Sequence, residues 1–305
     1  MELAGKSTIV TGTASGIGAA IVRAFLEAGA GGSARSTATT EAPAELAARF
    51  PGKLQHVVGD VAKEAPAAAA AQSALAAYGR IDVLVNNAAI APVQAIHLLS
   101  EEAWDRTMAV NCKSMYWMAR HVVPVMQRQR DGAILNTGSI SSMVGIPGQG
   151  VYGPSKGAVA QITRQMAVEY AKDGIRVNAV CPGTVDTPLL RKAMADSEDG
   201  EAFLNGLKDG HPIGRVAAAE EIADFFVYLA SDRARFITGS ISSMVGIPGQ
   251  GVYGPSKGAV VQITRQMAVE YAKDGIRSNA VCPGTVDTPL LARAGIESGD
   301  PEGFL

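Results

Sequence analysis

Tyr152 and Lys156 lie four positions apart in VYGPSKGAVAQITRQM, a spacing that places both side chains on one face of a helix. An ammonium group beside a phenol favours the phenolate, so it should lower a phenol pKa that starts near ~10. A tyrosine in that state can exchange protons near neutral pH, as the interconversion of an alcohol and a ketone requires. Pro154 fits only the first turn of a helix, which places Tyr152 at the helix start. Taken alone the pair is a weak signal, because most such pairs are solvated helix faces.

A second chemistry fits the same letters. Gly153 to Gly157 reads G-x-S-x-G with Ser155 as the nucleophile, and Asp186 and His211 follow in the order of a hydrolase triad. A nucleophile elbow needs an apolar strand directly before the serine, however, and IPGQGVY stands there. The context therefore favours proton exchange by the tyrosine over a serine hydrolase.

Three glycines, Gly12, Gly16 and Gly18, lie in TGTASGIG between an apolar run and a helical pattern. Glycines at such a junction permit a tight turn and let backbone N–H groups approach a pyrophosphate at the positive end of the helix. The alternative is an ordinary glycine-rich loop. Because TGTASGIG lies directly after the first strand, a nucleotide phosphate site is favoured over an ordinary loop.

The elements that must position these residues follow from apolar periodicity. Short apolar runs predict strands at 7–11, 54–58, 81–85 and 133–135. Helical patterns occupy 17–28, 62–78, 101–129 and 152–172. Strands that alternate with helices predict a parallel sheet covered on both faces. The segment GGSARSTATT stands where a second strand is due, and its low strand propensity predicts a weak or irregular strand.

The bulk composition indicates a globular protein with small-molecule partners. Of the 305 residues 47% are hydrophobic and 18% charged, and the net charge of −2 gives no basic field for nucleic acid or an anionic membrane. No signal peptide or membrane-spanning run is evident, so we expect a cytoplasmic location. The odd cysteine count and the four scattered histidines predict neither a disulfide framework nor a metal site.

A long segment of the chain occurs twice. Residues 137–190 match residues 238–291 at a constant offset of 101, with Ala160 against Val261 and Val177 against Ser278 as the only differences. The chain contains one glycine turn of the kind described above, and the second copy is entered through ARFITGS without the AILN that precedes the first. We therefore expect only the first copy to carry chemistry.

Together these motifs resemble the short-chain dehydrogenase/reductase family. The resemblance rests on TGTASGIG, NNAA at 86–89, Asn111, Ser139 thirteen residues before Tyr152, YGPSK, and PGTVDT at 182–187. It implies an α/β fold, a Rossmann-like doubly wound parallel sheet forming a single catalytic domain over residues 1–239. Residues 240–305 would then be a C-terminal appendage, a copy of 139–190 plus a tail, without catalytic function.

The resemblance also implies roles for four catalytic residues. Tyr152 would be the proton donor or acceptor, and Lys156 would lower its pKa and bind the nicotinamide ribose. Ser139 would hydrogen-bond the substrate oxygen, and Asn111 would hold a water that links Lys156 to solvent.

By the same resemblance the cofactor is NAD or NADP. The residues implied in binding it are Gly12, Gly16, Ile17 and Gly18 at the phosphates, Asp60 and Val61 at the adenine, Asn87 and Ala88 along the ribose, Tyr152 and Lys156, and Pro182, Gly183, Val185 and Thr187 at the nicotinamide. Arg35 could accept the 2′-phosphate of NADP, but the register of the second strand leaves the choice between the two cofactors open.

The function implied is an NAD(P)-dependent oxidoreductase that interconverts a secondary alcohol and a ketone. The rival is an NAD(P)-binding protein without turnover, suggested by the altered second strand and by the replacement of the family's last strand with the copy. The segment SISSMVG at 240–246 could substitute for that strand. The partners expected are an alcohol or ketone substrate and further copies of the chain in a homo-oligomer, a dimer rather than a full tetramer.

Overall fold

The structure is a computed structural model. It describes residues 1–30, 32–37, 44–195, 197–209, 211, 214–235, 237–238, 253–271, 274, 276 and 278. The segment 240–246, predicted to substitute for the last strand, lies outside the described residues.

A parallel sheet forms the centre of the fold. Strands β1 to β6 span Ser7–Thr11, Gly32–Thr37, Leu54–Val58, Val83–Asn86, Gly132–Thr137 and Ile175–Val180. Within the described residues they form one sheet in the order β3-β2-β1-β4-β5-β6, with every pairing parallel. The order reverses between β1 and β4, and open α/β sheets bind ligands outside the carboxyl ends of the strands at such a reversal. The predicted Rossmann-like sheet is confirmed.

Helices cover both faces of the sheet. Helices α1 to α10 span Gly16–Glu27, Ala44–Arg49, Glu64–Tyr78, Glu101–Met108, Ser114–Gln129, Tyr152–Tyr170, Pro188–Ala195, Gly200–Asp209, Ala219–Ala230 and Tyr253–Tyr271. Successive strand residues point to opposite faces. On β1, Ile9 packs with α3, α5 and α6, whereas Val10 packs with α1 and α9. Two apolar cores result, one on each face.

The long helix predicted over 101–129 is interrupted. Helix α4 leads into a π-helix at Ala109–Lys113, which continues directly into α5. A π-helical turn accommodates an additional residue, and such turns are frequent at functional sites. Here the wider turn contains Asn111, one of the predicted site residues.

The second strand is more regular than its sequence predicts. β2 pairs with β1 over its first five residues and with β3 from Ser33 to Thr37. Because a strand between two neighbours receives backbone hydrogen bonds on both edges, pairing overrides the low propensity of GSARST. The expectation of a weak or irregular strand is therefore not met over Gly32–Thr37.

In the part of the chain that the structure describes, no helix combines the length and the apolar character needed to cross a membrane.

Helix α10 has the sequence of α6 except for Val261, and it lies against α6. Helix α6 also contacts β5 and β6.

Candidate active site

Three predicted catalytic side chains meet beyond the carboxyl end of β5. Ser139 follows β5 by two residues, and Tyr152 is the first residue of α6. The Ser139 hydroxyl hydrogen-bonds the Tyr152 side chain. One turn further along α6, the Nζ of Lys156 lies 5.6 Å from the centroid of the Tyr152 ring and donates to the Thr137 carbonyl at 2.6 Å. The structure thus brings the predicted Ser, Tyr and Lys together.

The protonation equilibria at this cluster are governed by burial. Burial raises the pKa of the Tyr152 phenol, and the hydrogen bond with Ser139 acts in the opposite direction. Burial also lowers the pKa of Lys156 to about 8, because its ammonium group is removed from water. The net shift of the Tyr152 pKa is therefore upward in this structure, because desolvation of the phenol is its largest cause. The expected lowering of this pKa by Lys156 stays a prediction.

Asn111 is fixed by hydrogen bonds on both sides of its amide. Its Oδ1 accepts from the Ile90 N–H at 2.9 Å, and its Nδ2 donates to the Ile90 carbonyl and to the Ser155 Oγ, each at 2.9 Å. The π-helical turn carries this buried amide to the first turn of α6. Asn111 therefore connects the segment after β4 to the helix that bears Tyr152 and Lys156.

The geometry contradicts the hydrolase alternative. Ser155 is fully buried in α6, and its hydroxyl donates to the Tyr152 carbonyl at 2.7 Å. The His211 ring is held elsewhere, since its Nε2 accepts from the Thr184 N–H at 2.9 Å and its Nδ1 donates to the Leu207 carbonyl at 2.6 Å. With the serine shielded and the imidazole engaged by backbone groups, the two cannot act as nucleophile and base.

The glycine turn after β1 has the backbone geometry expected of a phosphate cradle. Gly12 and Gly16 have φ values of 68° and 57°, the left-handed region that favours glycine. A Cβ on Gly12 would lie 2.6 Å from the Ala88 Cα, and a Cβ on Gly18 would overlap the Gly12 carbonyl oxygen. Ile17 is partly buried against the core, so it anchors the turn. A side chain at Gly12 or Gly18 would therefore clash with neighbouring backbone atoms in this turn.

Asn87 joins the carboxyl ends of three strands. Its Nδ2 donates to the carbonyls of Thr11 at 3.1 Å and Gly12 at 3.0 Å, and its Oδ1 accepts from the Thr137 hydroxyl at 3.3 Å. The Thr11 hydroxyl in turn accepts from the N–H groups of Asn87 and Ala88 at 3.0 and 3.1 Å. Sequence reasoning missed Thr11 and Thr137, which lie at strand ends but carry no motif of their own.

The residues expected near the adenine lie at the carboxyl end of the next strands. The Asp60 carboxylate pairs with Arg106 at 2.8 Å, and this hydrogen bond holds its pKa below the usual range. Val61 is buried. Arg35 lies in β2 opposite Val10, but its side chain is outside what the structure describes.

The segment after β6 closes the same edge of the sheet. It contains the four residues expected to face the nicotinamide, Pro182, Gly183, Val185 and Thr187. The Pro182 carbonyl accepts from the Ile140 N–H at 2.9 Å, which links this segment to the turn that carries Ser139. The His211 ring lies where a side chain on Gly183 would project, Val185 is buried, and the Thr187 methyl approaches Gly16. All four therefore lie on the edge that carries the glycine turn and Tyr152.

Two cysteines lie near Lys156. Burial raises the pKa of the Cys112 thiol to about 12 and also raises the pKa of Cys181. The Cys112 thiol hydrogen-bonds the Ser155 carbonyl at 3.3 Å. Among the residues described, no group of three or more His, Cys, Asp or Glu side chains could hold a metal ion.

Comparison with known proteins identifies similar sequences across most of the chain. A family model described as enoyl-(acyl carrier protein) reductase matches residues 12–244 and, separately, residues 240–301. A 3-oxoacyl-(acyl-carrier-protein) reductase from Thermotoga maritima is 37% identical over 251 residues, which cover 82% of this chain and 98% of the relative.

Solved structures show the same fold. The 3-ketoacyl-(acyl-carrier-protein) reductase from Brucella melitensis, complexed with NADH, has a TM-score of 0.71 and 30% identity, covering 83% of this chain and 99% of its own. The L-sorbose reductase from Gluconobacter frateurii, complexed with NADPH and L-sorbose, has a TM-score of 0.73 and 31% identity, covering 82% and 98%.

Proposed function

Because the chain belongs to the short-chain dehydrogenase/reductase family, we propose that it interconverts a secondary alcohol and a ketone with Tyr152 as the general acid/base. The observation that supports this most directly is the meeting of Ser139, Tyr152 and Lys156 on the sheet edge that carries the glycine turn. An NAD(P)-dependent oxidoreductase acting on CH–OH groups needs both features within reach of one substrate.

The residues at this edge fit a dinucleotide. The left-handed glycines leave room for phosphates at the start of α1, a 12-residue helix whose positive end would stabilise them. Within the described residues, the Ser15 side chain makes no cap hydrogen bond, so it does not compete for the N–H groups there. Asn87 and Lys156 would bind the riboses, and the cofactor is NAD or NADP. When bound, the nicotinamide donates or accepts the hydride.

The protein groups manage the proton and the substrate oxygen. In ketone reduction the Tyr152 hydroxyl donates its proton to the carbonyl oxygen, and in alcohol oxidation the phenolate takes the hydroxyl proton back. The Ser139 hydroxyl hydrogen-bonds the same substrate oxygen and so directs it towards Tyr152. Lys156, held by the Thr137 carbonyl, stabilises the phenolate through its charge when protonated.

The catalytic domain in this proposal comprises residues 1–239, and residues 240–305 form a non-catalytic appendage copied from 139–190. The position of α6 against β5 and β6 supports the choice of the first copy, because Ser139 and Thr137 extend from β5 to Tyr152 and Lys156. Tyr253 begins α10 on the far side of α6, and its side chain lies outside the described residues.

The experiment has two stages that separate an enzyme from a binding protein. Fluorescence titration with NADH and NADPH measures cofactor binding and establishes which cofactor is preferred. Oxidation of the bound cofactor is then followed with a panel that includes L-sorbose, a 3-oxoacyl thioester and a cyclic ketone. We expect turnover with at least one ketone, whereas binding without turnover across the panel would favour the non-enzymatic alternative.

A further inference from the structure

Helices α6 and α10 contact each other through equivalent residues. Gly157 on α6 faces Gln262 on α10, and Gly258 on α10 faces Gln161 on α6. The offset of 101 relates Gly157 to Gly258 and Gln161 to Gln262. Each contact is therefore matched by the contact with the two helices exchanged, which is the defining property of a two-fold, isologous interface.

The glycines bring the two helices close together. The position of a Cβ on Gly157 lies 3.5 Å from the Gly258 carbonyl oxygen, and a Cβ on Gly258 would lie 3.5 Å from the Gly157 carbonyl oxygen. The same Cβ atoms would overlap the side chains of Gln262 and Gln161. The approach therefore depends on glycine in both helices, and it is equally close from either side.

The face of α10 that contacts α6 differs in burial from the rest of that helix. Val159 on α6 is 2% exposed in the core, whereas its copy Val260 on α10 is 50% exposed. Gln161 and its copy Gln262 are nevertheless both buried, at 7% and 1% exposed. At Val260 the copied helix is exposed where the original is packed in the core, but it retains the face that pairs with α6. The face that carries the glycine and the glutamine is thus complementary to its own copy. This holds although Val159 is packed in the core in α6 and Val260 is exposed in α10.

Helix α10 also holds the loop between Ser139 and Tyr152. Gln262 donates to the Val144 carbonyl at 2.8 Å, and Arg265 donates to the Met143 carbonyl at 3.1 Å. Gln266 accepts from the Ile146 N–H at 2.9 Å and donates to the Ile146 carbonyl. The loop is therefore tied to α10 through three polar side chains that lie within little more than one helical turn.

We propose that α10 is a built-in partner, which occupies within the same chain the face through which α6 would pair with α6 of a second copy. The partner that α10 excludes from this face of α6 is a second copy of this chain. A tethered helix is present at an effective concentration in the millimolar range when its linker spans the distance, so it outcompetes a separate molecule. A homo-oligomer of the full chain then has to use a different surface.

A matched pair of full-length variants tests the proposal. In Gly258→Leu the new side chain overlaps Gln161 and displaces α10, while Gly157 and the α6 face stay unchanged. Light scattering should then show a mass twice that of the wild type, whose chain is 31.5 kDa. The double variant Gly157→Leu with Gly258→Leu blocks the α6 face as well and should keep the wild-type mass. An unchanged mass for folded Gly258→Leu, or doubling in both, overturns the proposal.

A second measurement applies if Gly258→Leu does not fold. A photoreactive benzoylphenylalanine at Val261, which lies beside Gly157 and Arg164 between the helices, can be cross-linked in a mixture of isotopically light and heavy chains. Cross-links to α6 that join only light to light or heavy to heavy segments support pairing within one chain. Mixed light–heavy cross-links to α6 would show pairing between chains and overturn the proposal.

Discussion

At the scale of single residues, Tyr152 is subject to opposing electrostatic effects. Burial raises its pKa and the hydrogen bond with Ser139 lowers it, so the phenol is the stable form of the side chain in this structure. A partly buried phenol beside Ser139 is a suitable proton donor to a ketone oxygen, because low polarity strengthens the hydrogen bonds that direct the proton. Lys156, with its pKa lowered to about 8, supplies a positive charge that diminishes as the pH rises past that value.

The first prediction concerns the two copied tyrosines. Tyr152→Phe should lower kcat at least about 100-fold, the smaller end of the contribution of a positioned acid/base, and should leave NAD(P)H affinity within a few-fold. Tyr253→Phe, the matched control in the second copy, should leave kcat within a few-fold. Steady-state kinetics and fluorescence titration of both variants check this. If the effects are reversed, or if each variant loses about half the activity, the assignment to the first copy is wrong.

At the scale of elements, the junction of β1 and α1 depends on close backbone approach. The Gly12 carbonyl and the Asn87 amide occupy the space beside the Cα of Gly18, and the same amide holds the carboxyl end of β1. Hydrogen bonds thus join the end of β1 to the segment after β4, beside the start of α1. The packing at this junction leaves no room for an additional atom. The turn can present a concave backbone surface because these three elements fix it from different sides.

The second prediction is that one methyl group in this turn weakens cofactor binding. Gly18→Ala should displace the Asn87 amide and the Gly12 carbonyl, lower NAD(P)H affinity at least tenfold, and cost about 1–3 kcal/mol of stability from overpacking. The control is Gly206→Ala in α8, where a Cβ meets no atom within 4 Å and the change should leave affinity unaltered. Fluorescence titration and urea unfolding measure both quantities. Unchanged affinity in Gly18→Ala would contradict the proposed cradle.

At the scale of the whole molecule, two desolvated groups should make unfolding depend on alkaline pH in opposite directions. Lys156 has its pKa lowered from 10.5 to about 8, so between these values the unfolded chain binds more protons and stability rises with pH. Cys112 has its pKa raised from 9.0 to about 12, so in that window the folded chain retains a proton that the unfolded chain loses, and stability falls with pH.

The third prediction follows from these signs. Relative to the wild type, Lys156→Met should lose the rise in the free energy of unfolding between pH 8 and 10.5, and Cys112→Ala should lose the decline above pH 9. Each group contributes a slope of at most about 1.4 kcal/mol per pH unit. Urea unfolding from pH 7.5 upward measures the differences between variant and wild type. A difference that does not vary with pH in either variant would show that the corresponding group is not buried as described.

The sequence alone determined the features that local pattern encodes. The bounds of β1 and β3 were predicted as observed, because a short stretch with apolar and β-branched residues between turn signals favours a strand without reference to distant residues. The glycine turn was likewise recognisable, since a left-handed backbone at Gly12 and Gly16 admits few other residues. The order and spacing of the motifs then sufficed to indicate the family and its parallel sheet.

Tertiary structure decided the features that depend on what surrounds a residue. The polar β2 is ordered by strands on both sides, and the π-helical turn at Asn111 interrupts an apparently continuous helical pattern. The direction of the Tyr152 pKa shift is set by burial, which charge spacing along a helix does not reveal. Helices α6 and α10 make the point most directly, because nearly identical sequences lie in different surroundings. Only one of them can occupy the place beside β5, and long-range packing, rather than local propensity, determines which.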